Sequence, residues 1–252
     1  MATGTVDHTM VLWQEDGSLY LFCYTGRFHP DDLEKIPKPS SPLPANTFEA
    51  PRDPSLSYIS EPFPPDSYLK SPPLFIEKDV YERIVAGETY SPGMNMLGEA
   101  NIYEKLRLKP HLNICHFYGC ILSPQGDTVK GLCLRKYRCT LQQAMDCADH
   151  PLKVESVMQD IREGLTHLHK MGFAHNDLNL SNVMLDDEDR AILIDFDSCL
   201  PIGEGFNGRK AGTFGWQMDP PPVTSERHND WFAFAILQKH LQASYANSSS
   251  SS

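Results

Sequence analysis

His175-Asn176-Asp177-Leu178-Asn179-Leu180-Ser181-Asn182-Val183-Met184-Leu185, followed after an acidic turn by Ile192-Leu193-Ile194-Asp195-Phe196-Asp197, is the stretch that decides the fold. Ahead of it, Val154, Val157, Met158, Ile161, Leu165 and Leu168 recur at helical spacing, and Gly172 stops that helix. Behind it, Ala191-Ile192-Leu193-Ile194 reads as a short buried strand. Asp177, Asn182 and Asp195 therefore sit on polar loops between a helix and strands, with the two aspartates eighteen residues apart. Asp and Asn also favour turns, so loop capping is the plain alternative for each residue alone. The run Asp186-Asp187-Glu188-Asp189 reads as a solvated turn rather than a metal site. His167 and His169 are two positions apart, which puts them on different helix faces and argues against a shared metal.

The two motifs resemble the catalytic-loop pattern H-R-D-L-x-x-x-N and the metal-binding pattern D-F-G of the protein kinase superfamily. Either alone is a weak signal; together, in this order and spacing, they are specific. The resemblance extends over about residues 67–242. Tyr68-Leu69-Lys70 fits the strand that carries the phosphate-anchoring lysine. The segment from Gly98 to Leu106 fits the helix that carries its glutamate partner, and Pro110-His111-Leu112-Asn113-Ile114 resembles the turn after it. Gly131 to Tyr137 resembles the strand entering the hinge, and Ala211-Gly212-Thr213-Phe214-Gly215-Trp216 the end of the activation segment. Asn229 to Ala235 resembles the helix whose aspartate, Asp230, anchors the catalytic loop. The ensemble is similar to the divergent kinase-like proteins abundant in filamentous fungi.

The resemblance implies an α+β, bilobal protein-kinase-like fold: a small antiparallel β N-lobe at about residues 67–137 and a mainly helical, C-terminally truncated C-lobe at about residues 138–242. It implies ATP and Mg²⁺ as cofactors and phosphoryl transfer to a hydroxyl, in a protein Ser/Thr substrate. Lys70 is then expected to pair the α- and β-phosphates, with Glu99, rather than Glu104, holding it. Asn182 and Asp195 are expected to ligate magnesium, a hard cation that takes oxygen donors. Asp177 is expected to accept the proton of the attacking hydroxyl. His175, Phe196 and Asp230 are expected to be structural supports, Phe196 and Tyr103 through hydrophobic contacts.

The pattern also has departures. No glycine lies between Ala45 and Lys70, so the phosphate-covering glycine loop is missing, rebuilt, or displaced to a hairpin around Gly17. Asn176 stands in place of the usual arginine, Asn179 in place of a common lysine, and Asp197 in place of the glycine of D-F-G. Pro220-Pro221-Pro222 stands where A-P-E is expected, and the chain stops soon after the Asp230 helix. These losses keep two further readings open: a nucleotide-binding or inactive pseudokinase scaffold, and a small-molecule kinase, since D-L-N and I-D-F-D also resemble sugar and antibiotic kinases.

Composition fits this frame. The 252 residues are 40% hydrophobic, and 33 acidic against 22 basic side chains give a net charge of −11. A chain of this length buries roughly 70–75% of its unfolded surface, so it needs no disulfides to hold a core. The acidic balance argues against nucleic-acid backbones as partners. Seven cysteines, none in a CxxC pair, read as reduced thiols. No apolar run approaches ~18 residues, so no membrane span and an intracellular, cytoplasmic or nuclear location are expected. Residues 1–29 are expected to form an N-terminal β-hairpin region turning at Asp16-Gly17. Residues 30–66 read as a Pro-rich connector, since 12 of the 20 prolines fall within residues 30–73. Residues 243–252 read as a disordered Ser-rich tail.

Overall fold

The computed structural model describes residues 8–29, 31, 34, 42–44, 47–74, 78–86, 91–147, 152–207, 209 and 211–248. Its first element is a hairpin of β1 (His8–Glu15) and β2 (Ser18–Thr25), paired from His8↔Thr25 to Glu15↔Ser18. Asp16 and Gly17 turn it with φ of 49° and 78°, the left-handed pair that matches strand twist in a two-residue hairpin. Leu19 and Leu21 pack with Leu43, Phe48 and Ile84 in a small separate core, and the hairpin forms a sheet of its own. Prolines 30, 37 and 39 of the connector lie outside the described residues.

Residues 47–66 run over the domain as extended chain. Ala50 and Pro51 form β3 (Ala50–Pro51), Leu56 enters the main core, and Ile59 N–H donates to the Cys120 carbonyl at 3.0 Å. Proline excludes regular structure here, yet the Ser57 carbonyl and the Ile59 N–H both pair with the backbone of Cys120. β4 (Ser67–Lys70) follows, then α1 (Lys78–Val85) and α2 (Pro92–Arg107). Ser91 caps α2, its Oγ accepting from Met94 N–H, and Pro92 occupies the first turn, where its missing N–H costs nothing. β5 (Phe117–Leu122) and β6 (Thr128–Arg135) form the expected antiparallel pair. β6 is the central strand: β5 pairs along one edge, while β4 pairs with residues 132–135 and β3 with residues 128–129. α2 packs Met96, Ala100, Tyr103 and Leu106 into the core of this lobe.

The second lobe holds β7 (Cys139–Thr140), α3 (Leu141–Asp146) and α4 (Val154–Lys170). β8 (Phe173–Ala174), β9 (Val183–Leu185), β10 (Ala191–Leu193), β11 (Leu200–Pro201) and α5 (Arg227–Ser248) complete it. β10, β9 and β7 pair in that order, and β8 pairs with β11, so the loop between β8 and β9 is held at both ends. The fold is an α+β arrangement of an antiparallel sheet lobe and a mainly helical lobe. One core cluster, including Tyr103, Leu132, Leu165, Leu185 and Phe196, runs through both lobes. α5 continues to Ser248, so residues 243–248, expected in the Ser-rich tail, are helical; Ala243, Ala246 and the intervening polar residues carry no helix breaker. Residues 249–252 lie outside the described residues. No two of the seven cysteines are bonded to each other; Cys115, Cys120, Cys133 and Cys199 are buried, Cys23 and Cys139 partly buried, and Cys147 is exposed. Among the described residues no helix is long and apolar enough to cross a membrane.

At Gly131 in β6 an added Cβ would stand 2.8 Å from the Lys70 carbonyl oxygen. Gly131→Ala should therefore destabilise the protein by about 1–3 kcal/mol through overpacking. Gly98, on the exposed face of α2, has nothing within 4 Å of its missing Cβ, so Gly98→Ala should stabilise by about 1 kcal/mol. Urea denaturation of the two variants measures both, and equal midpoints would contradict the packing described.

Candidate functional site

β4 ends on Lys70, whose Nζ donates to Glu99 Oε1 and Oε2 at 2.8 and 2.7 Å and to Asp195 Oδ1 at 2.6 Å. Glu99 comes from the middle of α2 and is 1% exposed; Asp195 follows β10 with φ of 63°. That left-handed backbone is costly for a residue with a Cβ and turns the next N–H, of Phe196, onto Glu99 Oε1 at 3.2 Å. Burial alone would lower the Lys70 pKa, but the Glu99 and Asp195 carboxylates outweigh it and hold the ammonium charged, well above its usual range. Burial pushes the Glu99 carboxyl upward, Lys70 pulls it back, and Asp195 and Asp197 add to the upward push. Glu104 is elsewhere: it accepts from Ser57 N–H and pairs with Arg107.

The loop between β8 and β9 is fastened by Asp230 from the first turn of α5. Its fully buried carboxylate accepts from His175 N–H at 2.9 Å, Asn176 N–H at 2.7 Å and His169 Nε2 at 2.7 Å. His175 Nε2 donates to the Ile194 carbonyl at 2.9 Å and its ring packs 5.2 Å from Phe196. Phe196 also meets Tyr103 edge-on at 5.1 Å, which joins α2 to the Asp195 turn. His167 points elsewhere, to the Lys109 carbonyl, so the two α4 histidines share no ligand.

Asp177 and Asn182 meet within this loop: Asn182 Nδ2 donates to the Asp177 carbonyl at 2.8 Å and to Oδ2 at 3.2 Å. With its amide nitrogen so used, Asn182 keeps its Oδ1 as an oxygen donor. The Thr213 hydroxyl donates to Asp177 Oδ1 at 2.7 Å, and Asn179 Nδ2 approaches the same oxygen at 3.3 Å. Sequence spacing predicts neither contact, although Ala211–Trp216 resembles the end of the activation segment. Asn176, read in the sequence as a loss, is a buried hub. Its Nδ2 reaches the Ala174 and Ser198 carbonyls and Ser225 Oγ at 3.0–3.1 Å, and its Oδ1 accepts from Asn229.

Between the lobes lies a cleft of about 510 Å³. Leu134, Met184 and Ile194 give it an apolar section; Lys70, Asn182 and Asp195 make a polar end. That combination suits a flat base and a polyphosphate, and the Asn182 and Asp195 oxygens suit a hard cation between them. A smaller recess of about 310 Å³ opens beside Asp177, lined by Gln142, Asn179, Thr213 and Trp216. Among the described residues, none before Tyr68 lines the cleft, so the β1–β2 hairpin does not cover it.

Asp230→Ala should remove the acceptor of two buried N–H groups and one imidazole, at a cost of about 3–5 kcal/mol of stability. Chemical denaturation measures this; a loss under ~1 kcal/mol would mean that the loop is held by other contacts.

The chain matches the protein kinase domain over residues 77–241. It is 36% identical over 78 residues to G protein-coupled receptor kinase 2 of Drosophila melanogaster, covering 29% of this chain and 11% of that one. It is 36% identical over 91 residues to the dual serine/threonine and tyrosine protein kinase of Gallus gallus, covering 34% and 10%. It is 40% identical over 45 residues to the 3-deoxy-D-manno-octulosonic acid kinase of Vibrio parahaemolyticus, covering 18% and 19%. The chain thus spans about a tenth of the length of the two protein kinases and a fifth of the third relative. With that match over residues 77–241 and the loop geometry that goes with it, the chain belongs to the protein kinase domain family.

Proposed function

We propose that the interlobe cleft binds ATP with Mg²⁺ and that the protein transfers the terminal phosphoryl group to a hydroxyl, in a protein Ser/Thr substrate. The observation that carries this reading is the convergence of Lys70, Glu99 and Asp195 at one end of the cleft, with Asp177 and Asn182 in hydrogen-bond contact beside it. Phosphoryl transfer asks for positioning and charge neutralisation more than covalent help. Lys70, kept charged and fixed by Glu99, holds the α- and β-phosphates. Asn182 Oδ1 and the Asp195 carboxylate hold the cation, which when bound neutralises charge developing on the phosphate oxygens. Asp177 orients the acceptor hydroxyl and takes its proton; its contact with the Thr213 hydroxyl has the geometry that this role needs. His175, Phe196 and Asp230 support the loop without touching the reactants.

Two observations support other readings. The cleft lacks a covering hairpin among the described residues, which favours a nucleotide-binding scaffold with little turnover. The likeness to a kinase named for 3-deoxy-D-manno-octulosonic acid favours a small-molecule acceptor.

Asp177→Asn keeps the size of the side chain and removes its proton-accepting charge. This variant should lose about 10²–10⁴-fold in phosphotransfer while binding Mg-ATP nearly as the parent does. Asp195→Asn with Asp197→Gly should instead lose the Mg²⁺-dependent part of ATP affinity, since a charged hard ligand becomes neutral without a neighbouring substitute. Calorimetry and transfer from labelled ATP read the two effects. A parent that binds Mg-ATP but phosphorylates neither protein, itself nor water would put the scaffold reading in place of the enzyme.

A further inference from the structure

Tyr68 precedes Lys70 by two residues on β4, and both line the interlobe cleft. Alternate residues of a strand share a face, so the two Cα atoms lie about 7 Å apart along one wall. The Tyr68 side chain belongs to a residue that is 55% exposed, so its ring has open surface to offer. Its partner across the sheet, Leu134, lines the same cleft, while Met184 of β9 and Ile194 line it from the helical lobe. Among the described residues none before Tyr68 lines the cleft, so the contribution of the sheet lobe begins at this ring.

The segment that joins the lobes has little left to offer the edge of a base. The Arg135 N–H donates to the His116 carbonyl at 2.9 Å, the Lys136 N–H to Asp66 at 2.7 Å and the Arg138 N–H to Leu185 at 3.0 Å. Of the four backbone N–H groups at residues 135–138, that of Tyr137 alone has no such partner among the described residues. Thr140 and Gln143 also line the cleft, but they are bonded to each other in the cap of α3, each side chain accepting from the other's backbone N–H. Adenine and guanine differ in the donors and acceptors on their edges, whereas each has a π-face that stacks on an aromatic ring.

We propose that Tyr68 is the base-binding residue of this cleft, stacking on the nucleobase from the sheet side with Met184 on the side of the helical lobe, and that the site therefore takes guanine as well as adenine nucleotides. The proposal rests on the reading of the cleft as a nucleotide site and adds the element that holds the base. The ring carries the effect; the Tyr68 hydroxyl has no part in it. Lys70, on the same face of β4, places the phosphates beyond the base, at the polar end of the cleft.

The test is a calorimetric titration of the intact protein with ATP, GTP and inorganic tripolyphosphate, each with Mg²⁺. The parent should bind ATP and GTP within about tenfold of each other and both more tightly than tripolyphosphate. Tyr68→Ala should weaken both nucleotides by about tenfold or more and leave tripolyphosphate unchanged, as expected for loss of one stacking ring. Tyr68→Phe, which keeps the ring, should retain the affinity of the parent. Circular dichroism checks that both variants remain folded. A preference of the parent for ATP over GTP beyond about tenfold overturns the proposal. So does parent-like nucleotide affinity in Tyr68→Ala, or a loss of tripolyphosphate affinity equal to that of the nucleotides. A parent that binds tripolyphosphate but neither nucleotide overturns the base platform and leaves the phosphate end standing; a parent that binds none of the three overturns the nucleotide reading as well.

Discussion

One ammonium group, Lys70 Nζ, sets the relation of three parts of the chain. It bonds carboxylates that lie 29 and 125 residues away in sequence, on α2 and after β10. Glu99 is almost completely buried, and an unpaired buried carboxylate is expensive. Removing one partner of such a pair costs about 3–5 kcal/mol, far more than the pair itself contributes. The sheet lobe, its helix and the Asp195 turn are thus held in one arrangement by the penalty for separating them. A fixed charge of this kind requires no reorganisation when a polyanion enters, which is the advantage of preorganised electrostatics.

Asp230 repeats the principle in the helical lobe. Its buried carboxylate accepts from two backbone N–H groups and His169, and so ties His175 and Asn176, at the start of the loop, to α5. Asn176 extends that anchoring to residues 198, 225 and 229 with a neutral amide. An arginine there would need an anion to satisfy it; the amide is satisfied by groups already in the fold. The Asn176 side chain therefore adds neutral hydrogen bonds to this anchoring rather than a charge.

Much of this was readable from residues alone because the chemistry is local. The loop from His175 to Leu185 and the strand before Asp195 announce themselves by tightly spaced polar groups between apolar runs. Lys70 and Glu99 were placed by resemblance, and the structure brings them together, with Glu104 turned to Ser57 and Arg107. What was not readable depends on contacts between distant segments. Residues 47–66 have no periodicity, since proline suppresses it, yet Leu56 and the Ile59 N–H dock on the sheet. α1 is short, and no turn signal announced it. The end of α5 departs from expectation because serine composition suggests disorder, whereas Ala243 and Ala246 favour helix and α5 runs to Ser248. Asn176 looked like a lost arginine, and nothing in sequence spacing reveals that its amide would meet Ser198, Ser225 and Asn229.

The central claim is that the Lys70–Glu99–Asp195 cluster and Asn182 form a working site for a nucleotide polyphosphate with its cation. Its most direct test is the thermal unfolding of the intact protein titrated with ATP, with and without Mg²⁺. Binding to the folded state alone adds about 2.7 kcal/mol of stability at a hundred times the dissociation constant. The account predicts a concentration-dependent rise in midpoint with ATP that is larger when Mg²⁺ is present. An unchanged midpoint at millimolar ATP under both conditions would contradict it.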